Sequence, residues 1–178
     1  MEAMELHTCT ALLDLHGFEV VDATSDRKRN VRRLTVVSTE VAAACPHCRG
    51  VTDERHACYE REVVDLPLGG WKTELVAQLF QFRCGSCDKF FSPRSPVLAN
   101  GAHATERFLE RLARLATDGD VSAAAGFLGV AEKTAERWYY DYVERQTTQD
   151  AGTDCKPIKC LGIDELSLKK DTVNSAAC

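Results

Sequence analysis

Cys45-Pro46-His47-Cys48 and Cys84-Gly85-Ser86-Cys87 are two Cys-x-x-Cys pairs separated by thirty-five residues, and what fills that interval decides the fold. Each pair lets two thiolates on one tight turn reach a single ion at about 2.3 Å, and two such turns complete a closed tetrahedral zinc site. The interval is longer than the roughly fifteen to twenty residues of a compact finger. A hairpin resolves this, because antiparallel strands bring distant chain positions side by side. Residues 59–66 read as one strand, 67–70 as a Pro- and Gly-bearing turn, and 71–82 as an apolar-rich second strand running into Cys84. The predicted arrangement is a zinc ribbon with Cys45, Cys48, Cys84 and Cys87 as the ligands.

Competing readings of these cysteines are two disulfides, a thioredoxin-like redox pair, or unrelated buried thiols. A redox pair normally stands alone at a helix start in a βαβ setting, which neither pair has. Four sulfur ligands leave no open position, so the zinc is expected to be structural and not catalytic. His47, His56 and Cys58 are alternative ligands, with His47 inside its turn expected to face solvent. Cys9, Cys155, Cys160 and Cys178 lack comparable partner spacing and read as free thiols.

Toward the N-terminus, residues 18–23 and 31–39 are rich in Val, Leu and Thr and flank a polar, turn-prone segment, the pattern of a strand pair. Arg27, Lys28, Arg29, Arg32 and Arg33 straddle the start of the second strand. They read first as a solvated hairpin end, and Arg27, Arg29, Arg32 and Arg33 second as contacts to a nucleic-acid backbone.

Toward the C-terminus the hydrophobic period changes. Phe108, Leu109, Leu112, Leu115 and Ala116 fall at helical spacing, predicting a helix over 105–117 with Thr105 as N-cap. Asp118-Gly119-Asp120 stops it, and two further helices are predicted over 121–128 and 131–147, joined by Gly129 and Val130. Ala125 is small where the two would approach, Gly129 supplies the positive φ of a tight turn, and Leu128, Val130, Ala135 and Trp138 form the buried wedge. This is helix-turn-helix spacing, in which the second helix presents its N-terminal side chains to the DNA major groove. Lys133, Thr134 and Arg137 are the predicted DNA-binding residues, with Glu132, Glu136 and Tyr140 on the same outward face. Ala131 stands where a Ser or Thr cap is expected, a lack worth about 1 kcal/mol.

The charge balance limits that reading. The chain carries 22 Lys+Arg against 27 Asp+Glu, a net charge of −5, so it lacks the basic excess of a protein that binds nucleic acid over its whole surface. Residues 101–150 alone hold six basic and nine acidic side chains, a balance of −3 that repels phosphate. At 178 residues and 44% hydrophobic content the chain has the makings of one or two ordinary globular cores. No segment approaches the ~18 consecutive apolar residues of a membrane span, the N-terminus does not read as a targeting peptide, and a cytoplasmic protein without a membrane partner is expected.

Residues 146–156 read as a linker, and residues 158–163 as a buried strand ending at Asp164 and Glu165. The order of a paired-Cys ribbon, a helix-turn-helix, a linker and this strand resembles the N-terminal part of bacterial insertion-element transposases of the ISL-three family. The residues that carry the resemblance are Cys45-Pro-His-Cys48, Leu66-Pro-Leu-Gly-Gly-Trp71, Phe82-Arg-Cys84, Gly129, Arg137-Trp138 and Gly162-Ile-Asp164-Glu165.

The resemblance implies that the ribbon and helix-turn-helix recognise the element's terminal inverted repeats in double-stranded DNA. It implies also that the strand opens an RNase-H-like catalytic domain of the DDE type, with Asp164 as the first of three carboxylates. Such a triad holds two Mg²⁺ or Mn²⁺ ions for phosphodiester attack. Fourteen residues follow Asp164, too few for the remaining sheet and carboxylates, so a truncated transposase without activity of its own is expected.

The predicted fold class is α+β: a β-rich zinc-ribbon domain over 1–100, a helix-turn-helix domain over 101–150, and a linker with a truncated RNase-H-like start over 151–178. The alternative is a zinc-stabilised protein-interaction module or regulator that pairs with a full-length transposase or with itself. A further reading has Asp164 supplied in trans to a partner bearing the other carboxylates.

Overall fold

A computed structural model of the chain describes residues 2–150, with side chains for residues 6–148. In chain order the elements are helix α1 (Glu2–Leu13), strands β1 (Phe18–Asp26), β2 (Val31–Ser38), β3 (Ala43–Ala44), β4 (Val51–Thr52), β5 (Arg55–Leu68), β6 (Trp71–Arg83) and β7 (Phe90–Phe91), and helices α2 (Glu106–Asp118), α3 (Val121–Leu128) and α4 (Glu132–Asp150).

The β5–β6 hairpin is the backbone of the sheet. Leu68 pairs with Trp71 across a two-residue turn, Gly69-Gly70, in which both residues have positive φ, +61° and +80°. Such a turn matches the twist of the flanking strands and suits glycine, which has no Cβ to clash. The turn is thus shorter than expected, and Pro67 belongs to β5. Between the pairs Asp65–Thr73 and Leu68–Trp71, two residues of β5 face one of β6, a bulge that takes up a residue with no N–H to give the ladder.

β6 is the central strand. The main sheet runs in the order β1-β2-β6-β5, with β7 pairing the far end of β6. β1–β2 and β5–β6 are antiparallel, while β2 and β6 run parallel, Val31 beside Lys72 through Val37 beside Gln78. β3 and β4 form a separate two-stranded ladder.

Three apolar cores lie along this frame. Leu13, Leu15, Phe18, Val20, Leu34, Val36, Val63, Leu75, Ala77 and Leu98 fill the first, beneath the sheet and α1. Cys45, Cys84, Ala43, Phe82 and Phe91 form a second, smaller one around the cysteine pairs. The third joins α2, α3 and α4 through Phe108, Leu109, Leu112, Leu128, Ala135 and Trp138, with Val64 and Leu66 of β5 packed against it. One strand therefore serves two cores: the middle of β6 supplies Leu75 and Ala77 to the sheet, and its end supplies Phe82 to the cysteine region.

A buried ion pair ties the sheet to the helices. Asp65 on β5, 2% exposed, accepts hydrogen bonds from Thr105 Oγ1 at 2.6 Å and Arg107 Nε at 2.9 Å, and its second oxygen pairs with Arg107 Nη2. The same guanidinium donates to the carbonyls of Leu13 and Asp14 at the end of α1, at 2.9 and 3.0 Å. Asp65 holds the Arg107 pKa above its ordinary value by hydrogen bonding and charge. Thr105 caps α2 as expected, accepting from the Phe108 N–H.

Helix α1 was not anticipated. Its packed residues, Leu6, Cys9 and Leu13, are sparse, and Leu12 is exposed, so it shows little apolar stripe. Thr10 anchors it, its hydroxyl donating to the Leu6 carbonyl and accepting from Val20 N–H at 2.9 Å, beside the bulge in β1. Helix α4 starts one residue later than expected and runs three residues further, to Asp150. No Gly or Pro interrupts it after Glu132.

Candidate metal centre

The hairpin brings the two Cys-x-x-Cys turns together. Cys45 follows β3 and Cys84 follows β6, and both are buried. Thr52 Oγ1 donates to the Arg83 carbonyl at 2.8 Å and Arg83 N–H to the Glu54 carbonyl at 2.9 Å, fastening the first turn's ladder to the end of β6. Phe82 and Phe91 stack beneath, ring centres 6.1 Å apart.

The two turns have one design. The Cys45 carbonyl accepts from Arg49 N–H and the Cys84 carbonyl from Asp88 N–H, each at 2.8 Å. Cys45 N–H donates to the Gly50 carbonyl and Cys84 N–H to the Lys89 carbonyl, each at 2.9 Å. Arg49 and Asp88, the residues after the second cysteines, both have positive φ, +63° and +57°. This left-handed conformation is unusual for residues with a Cβ, and its repetition at equivalent places marks a backbone bent to aim two sulfurs at one point. Nothing in the Cys-x-x-Cys spacing announces Arg49 or Asp88 as turn residues; glycine would have been the sequence signal.

The four sulfur atoms converge. Cys45 Sγ lies 3.7 Å from Cys87 Sγ and Cys48 Sγ lies 3.4 Å from Cys84 Sγ. All four Sγ atoms fall within 4.8 Å of one another. Thiolates about 2.3 Å from a common tetrahedral ion would stand about 3.8 Å apart, so the donor set fits zinc in size and in chemistry. His47, His56 and Cys58 are outside this cluster: His47 and Cys58 are exposed, and His56 lies against the Phe90 ring at 4.3 Å.

Proton equilibria point the same way. Backbone N–H groups of Cys87 and Ser86 lower the Cys84 thiol to about 6, against the penalty of burial. Cys87 is pushed up to about 12: Lys89 N–H favours its thiolate, but lost hydration and the neighbouring Cys84, Cys48 and Cys45 outweigh it. Cys48 is raised too: Gly50 N–H and Cys87 favour its thiolate, but Cys84, burial and Cys45 outweigh them. Sulfurs this close cannot all ionise side by side unless a cation neutralises them.

Residues 42–87 match the family model for the zinc-finger of transposase IS204/IS1001/IS1096/IS1165. The chain carries a transposase-type zinc-ribbon region. The match begins just before Cys45 and ends at Cys87, so it encloses the four-thiol cluster and the β5–β6 hairpin, and it supports an ISL3-type transposase N-terminal region with a structural zinc. No curated protein and no solved structure matches.

The predicted DNA-binding residues lie at the start of α4. Lys133 and Arg137 are exposed and Thr134 is half-buried, while Ala135 and Trp138 face the core. The α3–α4 connection is a tight left-handed turn: Gly129 has φ +70° and ψ 33°, its N–H meets the Gly126 carbonyl at 3.3 Å, and Val130 N–H meets the Ala125 carbonyl at 3.1 Å. Trp138 stands edge-on to Phe108 of α2 at 6.1 Å, which orients α4 on the bundle. Residues 146–150, expected to begin the linker, are instead the last turns of α4, whose run no Gly or Pro breaks; the rest of the linker, the final strand and Asp164 lie outside the described residues. No helix among the described residues is long and apolar enough to cross a membrane.

Proposed function

We propose that this chain is the DNA-recognition portion of a transposase, with α3 and α4 acting as a helix-turn-helix that reads terminal inverted repeats. The observation that carries the reading is the convergence of four thiols inside the residues matched to a transposase zinc finger. Cys45, Cys48, Cys84 and Cys87 would hold the zinc, which supplies four-point cross-linking of the two turns; with sulfur at every position, it has none to offer a substrate. The ribbon thereby fixes the end of β6, and the Asp65–Arg107 pair connects the same sheet to α2.

On α4, Lys133 and Arg137 are four residues apart and share a face, the spacing that lets two cations enter one groove. Arg137 would read guanine and Lys133 a phosphate or guanine, with Thr134 bonding a phosphate or base edge. Selection from a random duplex pool tests this: an enriched motif is expected with the wild-type chain. Arg137→Ala should relax one position of that motif by about 1–3 kcal/mol of discrimination. A pool that stays random contradicts sequence recognition.

The acidic balance of residues 101–150 favours a second reading, a protein-interaction module. It would be supported by self-association or partner binding in the absence of any DNA complex.

A further inference from the structure

A recognition helix set in a unit of net charge −3 needs phosphate contacts from elsewhere in the molecule. Residues 27–33 hold five cations and no carboxylate, the opposite of the chain's overall balance. Asp26, next to them, is occupied: its Oδ1 accepts the N–H groups of Lys28 and Arg29 at 2.9 and 3.2 Å, which fixes the hairpin tip. Arg27, Lys28 and Arg29 stand exposed on that tip.

The tip is fastened to the neighbouring hairpin. Asn30 Nδ2 donates to the Gly70 carbonyl, and Lys72 N–H donates to the Asn30 carbonyl, both at 3.1 Å. Arg32 lies over the Trp71 ring at 5.3 Å, a stacked position that leaves its guanidinium pre-placed. Arg29 approaches Glu74 at 4.0 Å and Arg33 pairs with Glu62. Arg27, Lys28, Arg32 and Lys72 make no ion pair among the described residues.

Lys72 carries the charge to the α3–α4 turn. A carbon added to Gly129 would stand 3.7 Å from Lys72 Cδ and 3.9 Å from Cγ and Cε, so the Lys72 stem runs along that turn. The sheet therefore meets the α3–α4 turn where an unpaired lysine lies beside Gly129, a residue three positions before α4 begins.

We propose that Arg27, Lys28, Arg32 and Lys72 form a phosphate clamp for duplex DNA, continuous with the α3–α4 turn. The clamp rests on the DNA-recognition reading and supplies the backbone contacts that the helices' own charge opposes. α4 reads sequence, and the hairpin tip holds register and supplies most of the salt-dependent affinity.

The test is a salt titration of the zinc-loaded full chain on a mixed-sequence duplex of about 40 base pairs, followed by fluorescence anisotropy. The variant Arg27→Gln/Lys28→Gln/Arg32→Gln/Lys72→Gln is compared with a charge-matched control, Lys89→Gln/Arg94→Gln/Arg111→Gln/Arg114→Gln. Each lost phosphate contact lowers the slope of log K against log salt by about 0.9. The clamp variant should lose 2–4 in slope, by that roughly 0.9 per contact, and at least about tenfold in affinity at low salt, while the control changes little. Zinc content and melting temperature, measured on both, show that the fold is kept; if the quadruple variant melts early, Arg27→Gln/Lys28→Gln at the exposed tip should still lose about 1–2 in slope. Wild-type binding with equal slopes for clamp and control variants would overturn the clamp and leave the recognition reading standing. Failure of the wild-type chain to bind duplex at all, or equal competition by poly-glutamate, would overturn both.

Discussion

The two ends of the central sheet are held by different physics. At one end, α2, α3 and α4 close over twelve buried residues, among them Phe108, Leu109, Leu112, Leu128 and Trp138. At the other, the buried set is five residues, two of which are cysteines of the cluster. Burying Phe82 and Phe91 contributes about 2–3 kcal/mol each, small beside the roughly 10 kcal/mol that structural zinc supplies to a small ribbon. The helical end is stable because its sequence is apolar at the right period; the ribbon end depends on something the polypeptide must bind.

The largest predicted effect separates the two directly. Cys84→Ser should abolish tight zinc binding and release the ribbon, at a cost of several kcal/mol. Hydrogen exchange should show protection lost around residues 43–54 and 83–91 while the amides of α2 stay protected. Uniform loss across both ends would mean that the sheet transmits the damage and that the regions are one cooperative unit.

Next in size is the joint between them. Arg107→Ala leaves Asp65 charged and buried, which should cost about 3 kcal/mol, toward the lower end for a broken buried pair because Arg107 is itself a third exposed. Urea denaturation measures it, and Asp65→Asn on that background should recover part of the loss. No recovery would show that the Arg107 contacts to the Leu13 and Asp14 carbonyls carry the effect.

Smaller changes probe the helical end alone. Gly129→Ala places a Cβ at φ +70° but at ordinary contact distance from Lys72, so backbone strain of about 1 kcal/mol is expected without a clash. Ala131→Ser should gain about 0.5–1 kcal/mol by capping α4. Thermal melting of both variants, with zinc content unchanged, checks the signs; a loss on capping would show that Ala131 is held away from the cap geometry.

Much of this was legible in the residues. The cysteine spacing with Pro67, Gly69 and Gly70 between the pairs located the hairpin and the four converging thiols, since turn chemistry and ligand spacing are local signals. Thr105, Asp118-Gly119-Asp120 and Gly129 marked the helix boundaries for the same reason. The parallel pairing of β2 with β6 was not readable, because it joins residues about forty apart with no turn between them. The Asp65–Arg107 pair and the Lys72–Gly129 contact were hidden likewise: a single carboxylate or lysine carries no pattern until the chain has folded.

The ribbon owes its shape to one metal ion held by Cys45, Cys48, Cys84 and Cys87. The most direct measurement of this is cobalt substitution of the purified chain, read by absorption and by metal stoichiometry. One equivalent per chain is expected, with the intense charge-transfer and d–d bands of tetrahedral four-thiolate coordination and displacement by one equivalent of zinc. Absence of those bands, with hydrogen exchange in the ribbon the same with and without metal, would contradict a shape set by metal.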